Sequence, residues 1–176
     1  MRKIFLASES PRRSAILREK GVKFSRIKAG FNESVFLKKN SFDNPYKTAC
    51  ALAFAKAASG LRRGRGLKNG IVLGADTIVV LGKKIIGKPK SKKDAVRIIS
   101  MLSGTTHRVI TGMALIDADT YEASVFYDES FITFKKMPET EIKKYIASNH
   151  VLDKAGAYAI QEGADPYITK VRGSYY

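Results

Sequence analysis

The run Ile71-Val72-Leu73-Gly74-Ala75-Asp76-Thr77-Ile78-Val79-Val80 constrains this chain more than any other segment. Ten residues dominated by β-branched and apolar side chains read as a central strand. Asp76 interrupts it, on the alternating face that also carries Val72, Ile78 and Val80. An ionised carboxylate on a buried face needs a cation, a metal or several hydrogen-bond donors around it. A functional group and a buried structural carboxylate both meet that condition, and Asp76 is the sharpest single-residue anomaly in the sequence. Gly74, on the same face, lets another group approach the backbone closely or marks a bulge.

A second constraint lies near the N-terminus. Lys3-Ile4-Phe5-Leu6-Ala7 reads as a short buried strand, and Ser10 followed by Pro11 reads as a helix N-cap with proline at the first helical position. A strand that turns through hydroxyls into a helix start presents backbone N–H groups and a positive dipole end, which suits an anion. Arg12 and Arg13 in the first turn add planar, permanently charged forks that match phosphate oxygens. An ordinary capped helix with two solvated arginines fits the same residues.

Between these segments, Val22 to Ala29 reads as a strand and Phe31 to Asn44 as a polar loop. Asn44-Pro45 opens a helix to about Ser59 with an apolar stripe of Ala49, Leu52, Ala53 and Ala57. Lys56 lies on that stripe, where it either meets an anion or snorkels to the surface. Beyond the central strand, Gly82-Lys83 suits a hairpin turn into Lys84-Ile85-Ile86. Gly82 to Lys88 also spells G-x-x-x-x-G-K, but Pro89 stands where a phosphate loop needs Ser or Thr, so that reading is rejected. Ser91 with Asp94 resembles a capping box opening a helix to about Leu102. Strands follow at His107 to Ile116 and Ala123 to Phe134, then a helix from Glu139 to Ala147. Without strict βαβ alternation, these elements favour an α/β fold on a mixed sheet.

At 176 residues the chain fits one domain, or one domain with a bilobed cleft. No apolar run approaches the roughly 20 residues that span a bilayer. A single cysteine, Cys50, excludes an internal disulfide, agrees with a reducing cytoplasm and reads as helix filling. Two histidines and that cysteine, far apart, give no zinc motif, and His107 reads as strand-start or wall packing. The 32 Lys and Arg against 16 Asp and Glu leave a net charge of +16, which attracts polyanions. Its one local knot, Arg62-Arg63-Gly64-Arg65-Gly66-Leu67-Lys68, reads as a solvated loop rather than a nucleic-acid arm.

The chemistry-bearing residues thus accumulate as four cations, Arg12, Arg13, Lys56 and Lys88, and two carboxylates, Glu33 and Asp76. Such a set suits a nucleoside triphosphate, whose chemistry works mainly through positioning and charge neutralisation. The segments Leu6-Ala7-Ser8-Glu9-Ser10-Pro11-Arg12-Arg13, Gly74-Ala75-Asp76-Thr77, Gly87-Lys88-Pro89 and Asp153-Lys154-Ala155-Gly156-Ala157-Tyr158 together resemble the Maf family of nucleotide pyrophosphatases. Ser103-Gly104, the His107 to Gly112 stretch and Lys170 to Tyr175 resemble further family segments, so the likeness runs through a single Maf-like domain over 1–176.

The resemblance implies an inosine-triphosphate-pyrophosphatase type of α/β fold: an elongated mixed sheet flanked by helices, with a cleft between two lobes. It implies hydrolysis of a nucleoside triphosphate to the monophosphate and pyrophosphate with a divalent metal, Mg2+ or Mn2+. It assigns Ser8, Arg12 and Arg13 to phosphate binding, Asp76 to catalysis, Glu33 with Asp76 to the metal, and Lys56, Lys88 and Gln161 to the substrate. Arg12 after Pro11, Lys88 and Gln161 resemble the subgroup acting on dTTP and UTP, a cytoplasmic, homodimeric, housecleaning activity. Glu162 follows Gln161 where the family usually has glycine, and the sequence stops at Tyr176, before the family's Asn-Val-Val-Gly-Leu-Pro segment. Tyr175 and Tyr176 read as end-of-chain packing. The alternative is a non-catalytic basic protein that binds nucleic acid or regulates septum formation, although no helix-turn-helix, zinc finger or aromatic-interleaved basic strand stands out.

Overall fold

Burial of the apolar runs on both faces organises the molecule around a mixed sheet with helices packed against it. A computed structural model describes residues 2–40, 42, 44–64 and 66–174, the side chain of Gln161 excepted. The sequence readings that fall on Arg65, Tyr175, Tyr176 and the Gln161 side chain therefore lie outside the described residues. Among those described, the elements are β1 (Lys3–Leu6), α1 (Pro11–Glu19), β2 (Ser25–Arg26), α2 (Glu33–Lys39), α3 (Pro45–Arg63) and β3 (Gly70–Leu81). They continue with β4 (Lys84–Ile86), α4 (Lys92–Leu102), β5 (Thr106–Asp117), β6 (Ala123–Phe134), α5 (Glu139–Ser148) and β7 (Ile168–Arg172). The seven-stranded sheet has the order β2-β1-β3-β5-β6-β7, with β4 paired to β3.

β1 runs parallel to both β2 and β3, whereas β4 is antiparallel to β3 and β7 antiparallel to β6. The mixed sheet expected from the sequence is therefore present. The chain divides into two compact units. Among the described residues, one comprises 2–76 and 111–127, the other 77–110 and 128–174.

Several elements differ from the sequence reading. The expected strand from Val22 to Ala29 shrinks to Ser25–Arg26 on the sheet edge, because only Phe5 and Leu6 find partners there. The segment read as a polar loop contains α2. Asn32 caps it by accepting a hydrogen bond from the Val35 N–H at 3.1 Å, Glu33 lies in its first turn and Lys38 and Lys39 in its last, each complementing the helix dipole. Helix α3 runs past Ser59 to Arg63, so Arg62 and Arg63 form its basic last turn instead of a loop. The tail, for which no strand was foreseen, returns as β7.

In the first unit, α3 lies on the sheet through its fully buried stripe of Ala49, Leu52, Ala53 and Ala57. Ala7, Ala29, Val72, Ala114 and Ile116 complete a core of mostly small side chains. In the second unit, α4 and α5 present Ile98, Ile99, Leu102, Ile142, Tyr145 and Ile146 to Val79, Ile86, Ile132 and Phe134. A polar pair sits inside that core: His107 Nε2 lies 2.6 Å from the Tyr158 hydroxyl, and the two rings meet edge-on with each other and with Phe134. His107 Nδ1 has no hydrogen-bond partner among the described residues.

Burial pushes His107 down from 6.5 to about 4. A histidine with a depressed folded-state pKa contributes stability that is intact above the unfolded value and lost as pH falls through the folded one. We predict that acidification from pH 7 to pH 4 removes on the order of 3 kcal/mol through this side chain. In urea denaturation at the two pH values, His107→Gln should lose much less stability over that window than the wild type.

Candidate functional site

Asp76 ends the first unit's share of β3, and its side chain is 6% exposed. Lys56 comes to it from α3, its ammonium pairing with Asp76 Oδ1 and with Glu33 Oε2 at 3.3 Å. The lysine on the inward stripe thus meets anions and does not snorkel. Glu33 reaches the pair because it is the first residue of α2, the helix hidden in the segment read as a loop. Asp76 Oδ2 is buried without a hydrogen-bond partner among the described residues.

Two glycines make the Lys56–Asp76 approach possible. A Cβ on Gly74 would stand 2.3 Å from the Ala53 carbonyl oxygen and 2.6 Å from the Ala57 nitrogen. A Cβ on Gly112 would stand 2.3 Å from the Ala49 carbonyl oxygen. In both cases the obstacle is backbone, which cannot rotate aside. Gly74 is therefore the close-approach alternative of the sequence reading, and α3 seats against β3 and β5 at a distance only glycine permits.

The segment after β1 closes the site. The Ala7 N–H donates to the Leu73 carbonyl at 2.8 Å, so the loop from Ser8 leaves β1 beside β3, beyond the carboxyl end of β1, the position ligands favour in α/β sheets. Ser10 and Pro11 open α1 as expected, but the Ser10 side chain makes no capping bond. Buried Ser8 braces the turn: its Oγ accepts from the Ser10 N–H and from Arg13 Nη1, both at 3.2 Å. That contact holds Arg13 over the loop, where its charge is felt by Asp76.

The electrostatics of this group are coupled. Burial pushes the Asp76 carboxyl above its usual range and neighbouring Glu33 adds to the rise, while Lys56 and Arg13 oppose it. Burial likewise lowers the Arg13 guanidinium, with Asp76 countering and Arg12 reinforcing the shift. The first unit therefore gathers Ser8, Arg12, Arg13, Glu33, Lys56 and Asp76, six of the eight expected residues, into one charged cluster. The other two belong to the second unit. Lys88 is exposed just after β4, and Gln161 lies in the turn Ile160–Ala164.

Among the described residues no group of three or more His, Cys, Asp or Glu side chains forms a metal-binding cluster. Glu33 and Asp76 nonetheless provide two carboxylates and one unsatisfied buried oxygen, a donor set that suits a Mg2+-like ion, which takes one or two carboxylates alongside substrate phosphates. Burial raises the Cys50 thiol, which is the opposite of activation. Sequence reasoning passed over Lys154, a buried lysine of the second unit whose side chain is 4% exposed. Its neighbours Asp153 and Ala155 carry no periodic pattern that would mark it as buried.

We predict that Gly112→Ala destabilises the chain by about 1–3 kcal/mol, because the added methyl must push α3 off the sheet. Urea denaturation measures this, and the carboxyl titration of Asp76, followed by NMR, should move upward as Lys56 withdraws.

Comparison with known proteins bears on this geometry. The chain matches the family described as Maf-like protein over residues 3–176. A dTTP/UTP pyrophosphatase of Bacillus anthracis is 39% identical over 176 residues, which is all of this chain and 87% of that protein. A dTTP/UTP pyrophosphatase of Citrifermentans bemidjiense is 42% identical over 172 residues, 98% of this chain and 86% of the relative. Among solved structures, the Staphylococcus aureus Ham1 protein aligns at 13% identity with a TM-score of 0.47, covering 75% of this chain and 71% of that one.

Proposed function

The chain belongs to the Maf-like protein family, and from that premise we propose that it hydrolyses dTTP and UTP to the nucleoside monophosphate and pyrophosphate. The observation that carries this reading is the Lys56 ammonium between Glu33 and Asp76, with Arg13 held nearby by Ser8. The names of the relatives supply the substrate class.

In this reading Ser8, Arg12 and Arg13 bind the phosphates at the strand-to-helix turn, and Lys56 and Lys88 add positive charge. Asp76 has one oxygen engaged by Lys56, and the partnerless Oδ2 accepts a proton from the attacking water. The water oxygen bonds to the α-phosphorus, the bond from that phosphorus to the bridging oxygen breaks, and pyrophosphate leaves with the electron pair. A raised carboxyl pKa suits a base, since it brings proton affinity closer to the working pH. Glu33 and Asp76 would hold Mg2+ or Mn2+, which supplies charge neutralisation on the phosphates. Gln161 meets the pyrimidine edge, where an unpaired polar group penalises the wrong base. A cytoplasmic, homodimeric housecleaning enzyme completes the reading. No helix among the described residues is long and apolar enough to cross a membrane.

The nucleic-acid or septum-regulating alternative is not favoured. Arg62 and Arg63, the start of its basic arm, end a helix, and Arg63 Nη2 donates to the Gly30 carbonyl at 3.3 Å.

Pyrophosphate release should be measured for every NTP and dNTP with Mg2+ or Mn2+. We expect dTTP and UTP to be cleaved fastest and Asp76→Asn to lose about a hundredfold or more in kcat. Cleavage of none by the wild type, or full activity in Asp76→Asn, would defeat the proposal. The same variant tests the linkage. A carboxyl raised by burial favours the folded state below its ordinary pKa and loses that contribution as pH rises through the raised value. In metal-free buffer Asp76→Asn should therefore melt higher than wild type at neutral pH, with the advantage vanishing in acid.

A further inference from the structure

An ammonium group has three donors and no acceptor, so burying it requires three acceptors in place. Lys154, 4% exposed, meets that requirement: its Nζ donates to the His150 carbonyl, to Asp153 Oδ1 at 2.9 Å and to Glu162 Oε2 at 3.0 Å. His150 and Asp153 lie within four residues of the lysine, and contacts of that span shape only the local turn. Glu162 is different. It stands eight residues further on, inside the turn Ile160–Ala164, directly after Gln161.

The bridge is not an ordinary surface pair. A bond between two exposed side chains can open to water at little cost. Losing Glu162 would instead leave a buried cation with an unsatisfied donor, which is costly in a low-dielectric surrounding. The same stretch is tied down at a second point, since the Gly156 N–H donates to the Gly87 carbonyl at 3.1 Å, one residue before Lys88. Within the second unit, the segment from Lys154 to Glu162 is thus bonded both next to Lys88 and next to Gln161.

We propose that Glu162 is a positioning residue: through Lys154 it fixes the turn that carries Gln161, so nucleobase selectivity in this chain depends on an ion pair outside the reacting groups. The inference rests on the reading of Gln161 as the residue that meets the pyrimidine.

Two variants and two readouts test it. Glu162→Gln keeps the shape and removes the charge, and Glu162→Gly removes the arm. Each is compared with wild type for kcat and KM on dTTP, UTP, dGTP and GTP, for inhibition by inorganic tripolyphosphate, and for amide hydrogen exchange over residues 159–164. We expect KM for dTTP and UTP to rise about tenfold in both variants, with kcat within about twofold, the loss of one charge-assisted hydrogen bond. Discrimination against dGTP and GTP should fall by the same factor. Tripolyphosphate, which has no base, should inhibit all three proteins equally, and exchange in the turn should quicken about tenfold. General damage to the fold would instead lower kcat and weaken tripolyphosphate together. Selectivity within about twofold of wild type in both variants overturns the inference, whatever the exchange does. If the wild type cleaves no nucleotide, the proposed function fails on its own. The exchange rates then decide this inference: quickened exchange upholds the bridge as the turn's anchor and unchanged exchange overturns it.

Discussion

A carboxylate on the inward face of β3 cannot be ionised without company, and the first unit is arranged around supplying it. Lys56 is the counter-charge, and it reaches Asp76 only because α3 rests on Gly74 and Gly112 with its backbone nearly touching the strands. The pairing is incomplete by design of the contacts: burial and Glu33 still hold the Asp76 carboxyl above its usual range. A chain selected for stability alone would have no reason to keep Asp76, Lys56 and a partnerless oxygen together, whereas one that must move a proton there does.

The second unit surrounds its buried lysine differently. The Lys154 ammonium has all three donors met, and its two carboxylate partners reach out toward solvent. His107 avoids the problem by staying neutral beside the Tyr158 hydroxyl in an aromatic cage. Its Nδ1 stays without a hydrogen-bond partner among the described residues, which costs less for a neutral imidazole than for an ion.

Legibility in the sequence followed the length scale of each signal. β4, α4, β6 and the start of α5 stand where the residues placed them, since a hairpin glycine, a Ser91 cap and apolar periodicity are all local. Asp76 and Lys56 were visible as violations of those same patterns. Helix α2 was missed because its seven residues bury no side chain completely, leaving no apolar stripe, and its only marks are the Asn32 cap and its end charges. Ser10 is the N-cap of α1 with Pro11 after it, as the residues indicate, but its hydroxyl makes no capping bond, while Ser8 Oγ accepts from the Ser10 N–H. Lys154 and Glu162 were read as a motif and a departure, because nothing in spacing reveals that two residues meet across an irregular turn. That Glu33, Lys56 and Asp76 converge was supplied by resemblance and not by periodicity, since each lies on a different element.

Charge sets a limit on what the first unit can do alone. Arg12, Arg13 and Lys56 against Glu33 and Asp76 leave a single net positive charge in the cluster. A nucleoside triphosphate carries about four negative charges, and phosphoryl chemistry proceeds only when most of that charge is neutralised as it shifts. The two carboxylates make the deficit worse, so in a site for this substrate they need a reason to be there. In the proposed reaction Asp76, as the base, accounts for one of them. Glu33 takes no proton in the proposed step, and its presence beside a polyanion makes sense if a divalent cation is held there when substrate binds. In the proposed reaction, an acidic residue beside phosphates is thus a physical argument for a metal.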